Sequence, residues 1–158
     1  MKTLIVYYSF TGSSAYIAET LKSLLDADIE RLIPDSEPPK SGPMKFMIGG
    51  KSALARDSVG LAPLSHDVAD YEQIILAMPI WAGTFPPAIG EFLRRHNLSG
   101  KKVSAVISSA GGKTEKAFRH LAENMAGVEL AETLSLTSPL KDTTKTKNEL
   151  EKFAEKVK

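Results

Sequence analysis

The chain has 158 residues, 42% hydrophobic and 25% charged, which is the balance of one globular domain able to bury a core without staples. The absence of cysteine excludes disulfides, thiolate nucleophiles, iron–sulfur ligation and cysteine-held zinc together. Lysine and arginine total 20 against 19 acids, a net charge of +1 that gives no electrostatic case for nucleic acid or a membrane surface, so the expected ligand is small.

Thr3 to Tyr8, "TLIVYY", reads as the first strand; polar residues follow at once, so the run is too short for a signal peptide or membrane span, and a cytoplasmic protein is expected. A helix over Ser13 to Leu25 carries Ile17, Leu21, Leu24 and Leu25 on one face, with Thr11 or Ser13 placed to cap it. Asp28 to Ile33 is the second strand. From Pro34 to Tyr71 the pattern weakens, with several prolines and a Gly49-Gly50 pair, and a short helix around Met44 to Arg56 wrapped in long loops is expected. Residues 40 to 70 are candidates for a flap over a ligand or for a partner surface.

The third strand is Gln73 to Met78, "QIILAM", followed by a helix over Pro86 to His96 whose prolines are tolerated in the first turn. The fourth is Lys102 to Ser108, "KVSAVIS", followed by a helix over Lys113 to Met125. The fifth is Glu129 to Leu136, and a closing helix over Thr144 to Val157 aligns Leu150, Phe153 and Val157 among charges. Three of these strands are nearly continuous apolar runs, as central strands covered on both faces should be. The alternation predicts an α/β protein, a parallel sheet with helices on both faces, in a single domain over 1–158 without repeats or a linker.

In such a sheet, ligands bind beyond the carboxyl ends of the strands. The loop there after the first strand is "SFTGSS", in which Ser9, Thr11, Ser13 and Ser14 can donate to phosphate oxygens and Gly12 lets the backbone curl around an anion. The alternative for this stretch is a plain helix cap. A triphosphate site would need GxxxxGK[ST], and a dinucleotide site GxGxxG; neither is present. A serine hydrolase would need GxSxG, and a magnesium-dependent phospho-acceptor would need acids at the first and third strand ends. After the third strand, "PIWAG" offers Trp81, which can stack on a flat ring or pack as a lid near Phe85. After the fourth, "SSAGG" is small enough for backbone to lie along a ring edge, or is an ordinary turn. All three loops converge on one edge if the strand order is 2-1-3-4-5. His66, His96 and His120 show no metal-ligand spacing and read as surface residues, and Lys113 as solvated.

Through "IVYYSFTGSS", "YEQIILAMPIWAGTFPPAIGEFL" and "VISSAGG", the whole chain resembles the flavodoxins and flavodoxin-like FMN-binding proteins. The resemblance implies a three-layer sandwich with sheet order 2-1-3-4-5. It also implies FMN as cofactor: Ser9, Thr11, Gly12, Ser13 and Ser14, with the Phe10 N–H, at its phosphate; Pro79, Ile80, Trp81, Ala82 and Gly83 flanking the isoalloxazine; Ser109, Ala110, Gly111 and Gly112 at the pyrimidine edge. The implied function is electron transfer, with FMN cycling between oxidised, semiquinone and hydroquinone states and a peptide flip at Ala82-Gly83, toward a redox partner protein or small acceptor. Two departures from the carriers, the +1 charge and the aromatic-free fourth-strand loop, keep in view an FMN-dependent NAD(P)H oxidoreductase acting on quinones or other small acceptors. A non-redox protein binding another phosphate ester is a third reading.

Overall fold

The computed structural model describes residues 1–37 and 59–158. Five strands form one sheet: β1 (Thr3–Tyr7), β2 (Asp28–Arg31), β3 (Gln73–Pro79), β4 (Lys102–Ser109) and β5 (Leu130–Thr137). All neighbours pair in parallel, in the order β2-β1-β3-β4-β5. Four helices accompany them among the described residues: α1 (Ser13–Leu25), α2 (Pro87–Arg95), α3 (Glu115–Glu123) and α4 (Thr143–Val157). None of these helices is long and apolar enough to cross a membrane.

Because side chains alternate across a strand, the apolar runs of β1, β3 and β4 feed two cores at once. On one face Leu4, Val6, Leu76, Met78, Val103 and Ile107 pack against Ile89 and Phe92 of α2 and Leu121 of α3. On the other, Ile5, Ile75, Ala77 and Val106 pack against Ile17 and Leu21 of α1 and Leu150, Phe153 and Val157 of α4. Each fully buried large aliphatic side chain contributes about 1.5–3 kcal/mol. β5 lies at the sheet edge and differs: Leu136 is buried, while Thr133, Ser135 and Thr137 on the alternate face are exposed.

Most element ends fall within two residues of the sequence reading. β2 stops at Arg31 rather than Ile33, although the Leu32 N–H still donates to Tyr7 O at 2.8 Å. α3 ends at Glu123 rather than Met125, because Ala126 (φ +46) and Gly127 (φ +87) turn the chain out of helical geometry. The helix expected near Met44 to Arg56 lies outside the described residues. Just after that segment, Leu61 forms an antiparallel bridge with Pro34. The carboxylate of buried Glu30 then holds the chain, accepting from the Ser65 and His66 N–H groups at 3.0 and 2.9 Å, with His66 Nδ1 at 2.8 Å.

The histidines are therefore not the plain surface residues the sequence implied. All three are half-buried: His66 sits on Glu30, His96 packs on Phe92 with ring centroids 4.8 Å apart, and His120 Nδ1 lies 3.2 Å from Thr84 Oγ1. Burial pushes the His96 imidazole below its ordinary pKa, with the Arg95 charge adding to the effect.

Candidate functional site

The chain runs from β1 outward to β2 and then crosses back to β3, so the loops leaving β1 and β3 diverge at the carboxyl edge of the sheet and open a crevice. The β1–α1 loop turns through Gly12 at φ +101, a left-handed geometry that a Cβ would oppose. Neither Thr11 nor Ser13 caps α1 by its side chain; Gly12 holds the cap position, and buried Ser9 reaches in to accept the Ala15 N–H on Oγ at 3.2 Å. The amides of Ser13 and Ser14, in the first turn, have no carbonyl partner within the helix and face its electropositive end. Ser14 itself is 1% exposed, and its hydroxyl has no partner among the described residues. An orphaned buried hydroxyl costs about 1–3 kcal/mol, a cost that a hydrogen-bonding ligand atom would remove.

After β3, Trp81 and Thr84 exchange both backbone hydrogen bonds, at 2.8 and 2.9 Å, around Ala82 (φ +47) and Gly83 (φ +77). Two positive φ values in a two-residue hairpin define a type I′ turn. The Trp81 ring is fixed by edge contacts to Tyr8 and Phe10, with centroids 5.5 and 5.3 Å away. Burial, and then the charge of Glu37, push the Tyr8 phenol far above its ordinary pKa against the opposing charge of Arg31, so it stays neutral beneath this wall.

After β4, Ser109 Oγ accepts the Gly112 N–H at 2.8 Å and closes a tight turn. Gly112 has φ +77, and a Cβ there would stand 3.0 Å from Thr137 Oγ1. The loop after β5 joins in: the Ser138 N–H donates to Ser109 O at 2.7 Å, and Thr146 Oγ1 donates to Pro139 O at 2.7 Å.

Together these loops enclose a cavity of about 700 Å³, within the range of roughly 300–1,000 Å³ usual for small-molecule sites. Ten of the residues singled out from the sequence line it: Phe10, Thr11, Ser13, Pro79, Ile80, Trp81, Ala82, Ser109, Ala110 and Gly111. Ser9, Gly12, Ser14, Gly83 and Gly112 do not; they shape the turns behind the wall. Ser108, the first residue of the "SSAGG" stretch, lines the cavity as well; Ser138 and Pro139 line it without having been anticipated, and Lys113, read as solvated, lines it too. The signal for Ser138 and Pro139 was topological, since in a parallel sheet the fifth loop must emerge at the same edge.

A doubly wound parallel sheet with a ligand cavity at its topological switch point defines an open α/β binding protein. The chain matches the flavodoxin family model over residues 2–157 and belongs to the flavodoxin family. Its fold is shared by solved structures of low identity. A flavoprotein from Lactobacillus acidophilus, solved in complex with FMN, is 21% identical with a TM-score of 0.73, over 89% of this chain and 96% of that one. Oxidised flavodoxin 2 from Bacillus cereus is 21% identical with a TM-score of 0.60, over 99% and 97% of the two chains. A Fusobacterium nucleatum flavodoxin bound to flavin mononucleotide is 15% identical with a TM-score of 0.58, again over 99% and 97%. No curated protein matches the sequence.

Proposed function

We propose that this protein binds FMN in the cavity at the carboxyl edge of the sheet and carries electrons to and from a redox partner. The observation that carries the proposal is the buried Ser14 hydroxyl, without a partner among the described residues, at the start of α1, directly after cavity-lining Ser13. A phosphate ester is the ligand such a helix start accommodates best: it accepts from amides and hydroxyls and meets the positive end of the helix dipole. Ser9, Thr11, Gly12, Ser13 and Ser14, with the Phe10 N–H, would hold that phosphate. The flat part of the ligand would lie among Pro79, Ile80, Trp81, Ala82 and Gly83 on one side and Ser109, Ala110, Gly111 and Gly112 on the other. FMN supplies one- and two-electron chemistry when bound; the chain supplies position and electrostatics. Trp81 is pre-oriented by Tyr8 and Phe10, so little side-chain ordering is left to offset on binding.

A second reading, an FMN-dependent NAD(P)H oxidoreductase, is favoured by one feature. The described lining residues from the β4 and β5 loops include no aromatic ring, so a bound flavin would keep a face open to a second substrate. The two readings separate in one assay. FMN-loaded protein, chemically reduced, should be reoxidised by one-electron acceptors while leaving NADH and NADPH unconsumed unless a reductase is added. Sustained NAD(P)H oxidation with a quinone or free flavin would replace the carrier reading by the oxidoreductase.

A further inference from the structure

The charges around the mouth of the cavity are unevenly placed. The loops after β1 and β3, from Ser9 to Gly12 and from Ile80 to Pro86, carry none. On the β4 side, Lys113 is the one charged residue among the described lining residues. Lys116 continues that side along α3, its Cδ within 4.0 Å of where a Cβ on Gly83 would stand, and Arg119 follows one turn on. All three cations are exposed, and none forms an ion pair among the described residues. Neighbouring His120 is bound to Thr84 of the Trp81 hairpin, and Glu115 is the single acid in this stretch. In the loop after β5, Lys141 is exposed, while the carboxylate of Asp142 is engaged by the Lys145 N–H at 3.0 Å. Across β1, the end of β2 brings Arg31, whose Nη2 donates to Ser9 O at 3.5 Å, and the chain after it brings the acids Asp35 and Glu37. Leu140, 46% exposed beside Gly12, adds an apolar spot.

We propose that the cationic strip Lys113, Lys116 and Arg119 docks the acidic surface of the protein with which this one exchanges electrons. The inference rests on the carrier reading above and names the chemistry of its partner. The cations are spread along a loop and a helix rather than converging on one point, which suits a protein face better than a single phosphate. Exposed charges act within a Debye length of about 8 Å at physiological salt, so the strip works by steering and orientation, and its effect must fade as salt rises.

The test uses poly-L-glutamate as an acidic polypeptide and hexacyanoferrate(III) and hexaamminecobalt(III) as small oxidants of opposite charge. Calorimetric titration of the full chain with poly-L-glutamate at low salt should show binding that weakens about tenfold in Lys116→Glu/Arg119→Glu. It should persist in Lys147→Glu/Lys152→Glu, an equal charge change on α4 at the other face of the sheet. This arm reads the strip whether or not FMN is held, so a chain that refuses FMN but binds polyglutamate defeats the carrier reading alone. In the FMN-loaded, reduced protein, oxidation by the anionic complex should slow with salt and oxidation by the cationic one should not; the strip variant should reverse this order. Equal effects of the two double variants would overturn the proposal, as would displacement of polyglutamate by an equimolar amount of inorganic pyrophosphate, which would mark a small-anion site. Should the strip variant not fold, Lys116→Gln/Arg119→Gln reads the same contrast with a smaller effect.

Discussion

Ser14 and Ala82 are the two residues on which the proposed chemistry turns. Ser14 Oγ is buried without a partner among the described residues, at a helix start where the Ser13 and Ser14 amides have no carbonyl partner within the helix. A hydrogen bond to a charged group contributes about 1.5–3 kcal/mol, so Ser14→Ala should weaken FMN roughly 10- to 100-fold and leave riboflavin, which lacks the phosphate, nearly unchanged. Equilibrium titration with both flavins checks this. Ala82 opens a type I′ turn at φ +47. Rotating the Ala82-Gly83 peptide, as the family resemblance implies, would give a type II′ turn, which calls for glycine at its first central position. The Cβ of Ala82 therefore opposes the flip, and Ala82→Gly should widen the separation between the first and second one-electron potentials of the FMN-loaded protein. An unchanged separation in a spectroelectrochemical titration would count against a role for this peptide. Gly112→Ala should cost about 1–3 kcal/mol in urea unfolding, from a positive φ and the approach to Thr137 Oγ1.

α2 shows how an element is held beyond its apolar face. Glu91 lies buried on it and binds Arg94 through Nε and Nη2 at 3.1 and 2.6 Å and Arg95 through Nε at 2.8 Å. The Arg94 hydrogen bonds hold the Glu91 carboxyl below its ordinary pKa despite burial. A carboxyl depressed in the folded state contributes stability that is complete above its unfolded pKa, about 4.3, and is lost as pH falls through the folded value. Glu91→Gln should therefore cost about 1–3 kcal/mol at neutral pH and progressively less below about pH 4, as read from denaturant unfolding at each pH. What was legible at this scale follows the same physics. β1, β3 and β4 could be read because burial on both faces demands unbroken apolar runs. β5, whose alternate face is open, was still placed within one residue at each end. The cap of α1 was misplaced because Ser9 reaches the Ala15 amide from six residues away, outside the spacing of a local cap. Ser138 and Pro139 escaped notice because "TSPL" is chemically ordinary and acquires its place in the cavity only through β5 pairing and the bond to Ser109.

For the molecule as a whole, the sheet order brings loops far apart in the chain to one edge, and the cavity is the product of that order rather than of any single motif. Among the described residues the same order sets the charge pattern, with Lys113, Lys116 and Arg119 beyond β4 and Asp35 and Glu37 beside Arg31 beyond β2, in a chain whose net charge of +1 conveys neither. A ligand that binds only the folded state stabilises it by mass action, about 2.7 kcal/mol at a hundredfold excess over Kd. FMN should accordingly raise the melting temperature by several degrees while inorganic phosphate, lacking the ring, raises it far less. The most direct measurement is titration of flavin-free protein with FMN and with riboflavin, following quenching of flavin fluorescence. Tight 1:1 uptake of FMN with much weaker uptake of riboflavin is the predicted result; failure to take up FMN, or equal affinity for the two, would contradict a phosphate cradle built on the start of α1.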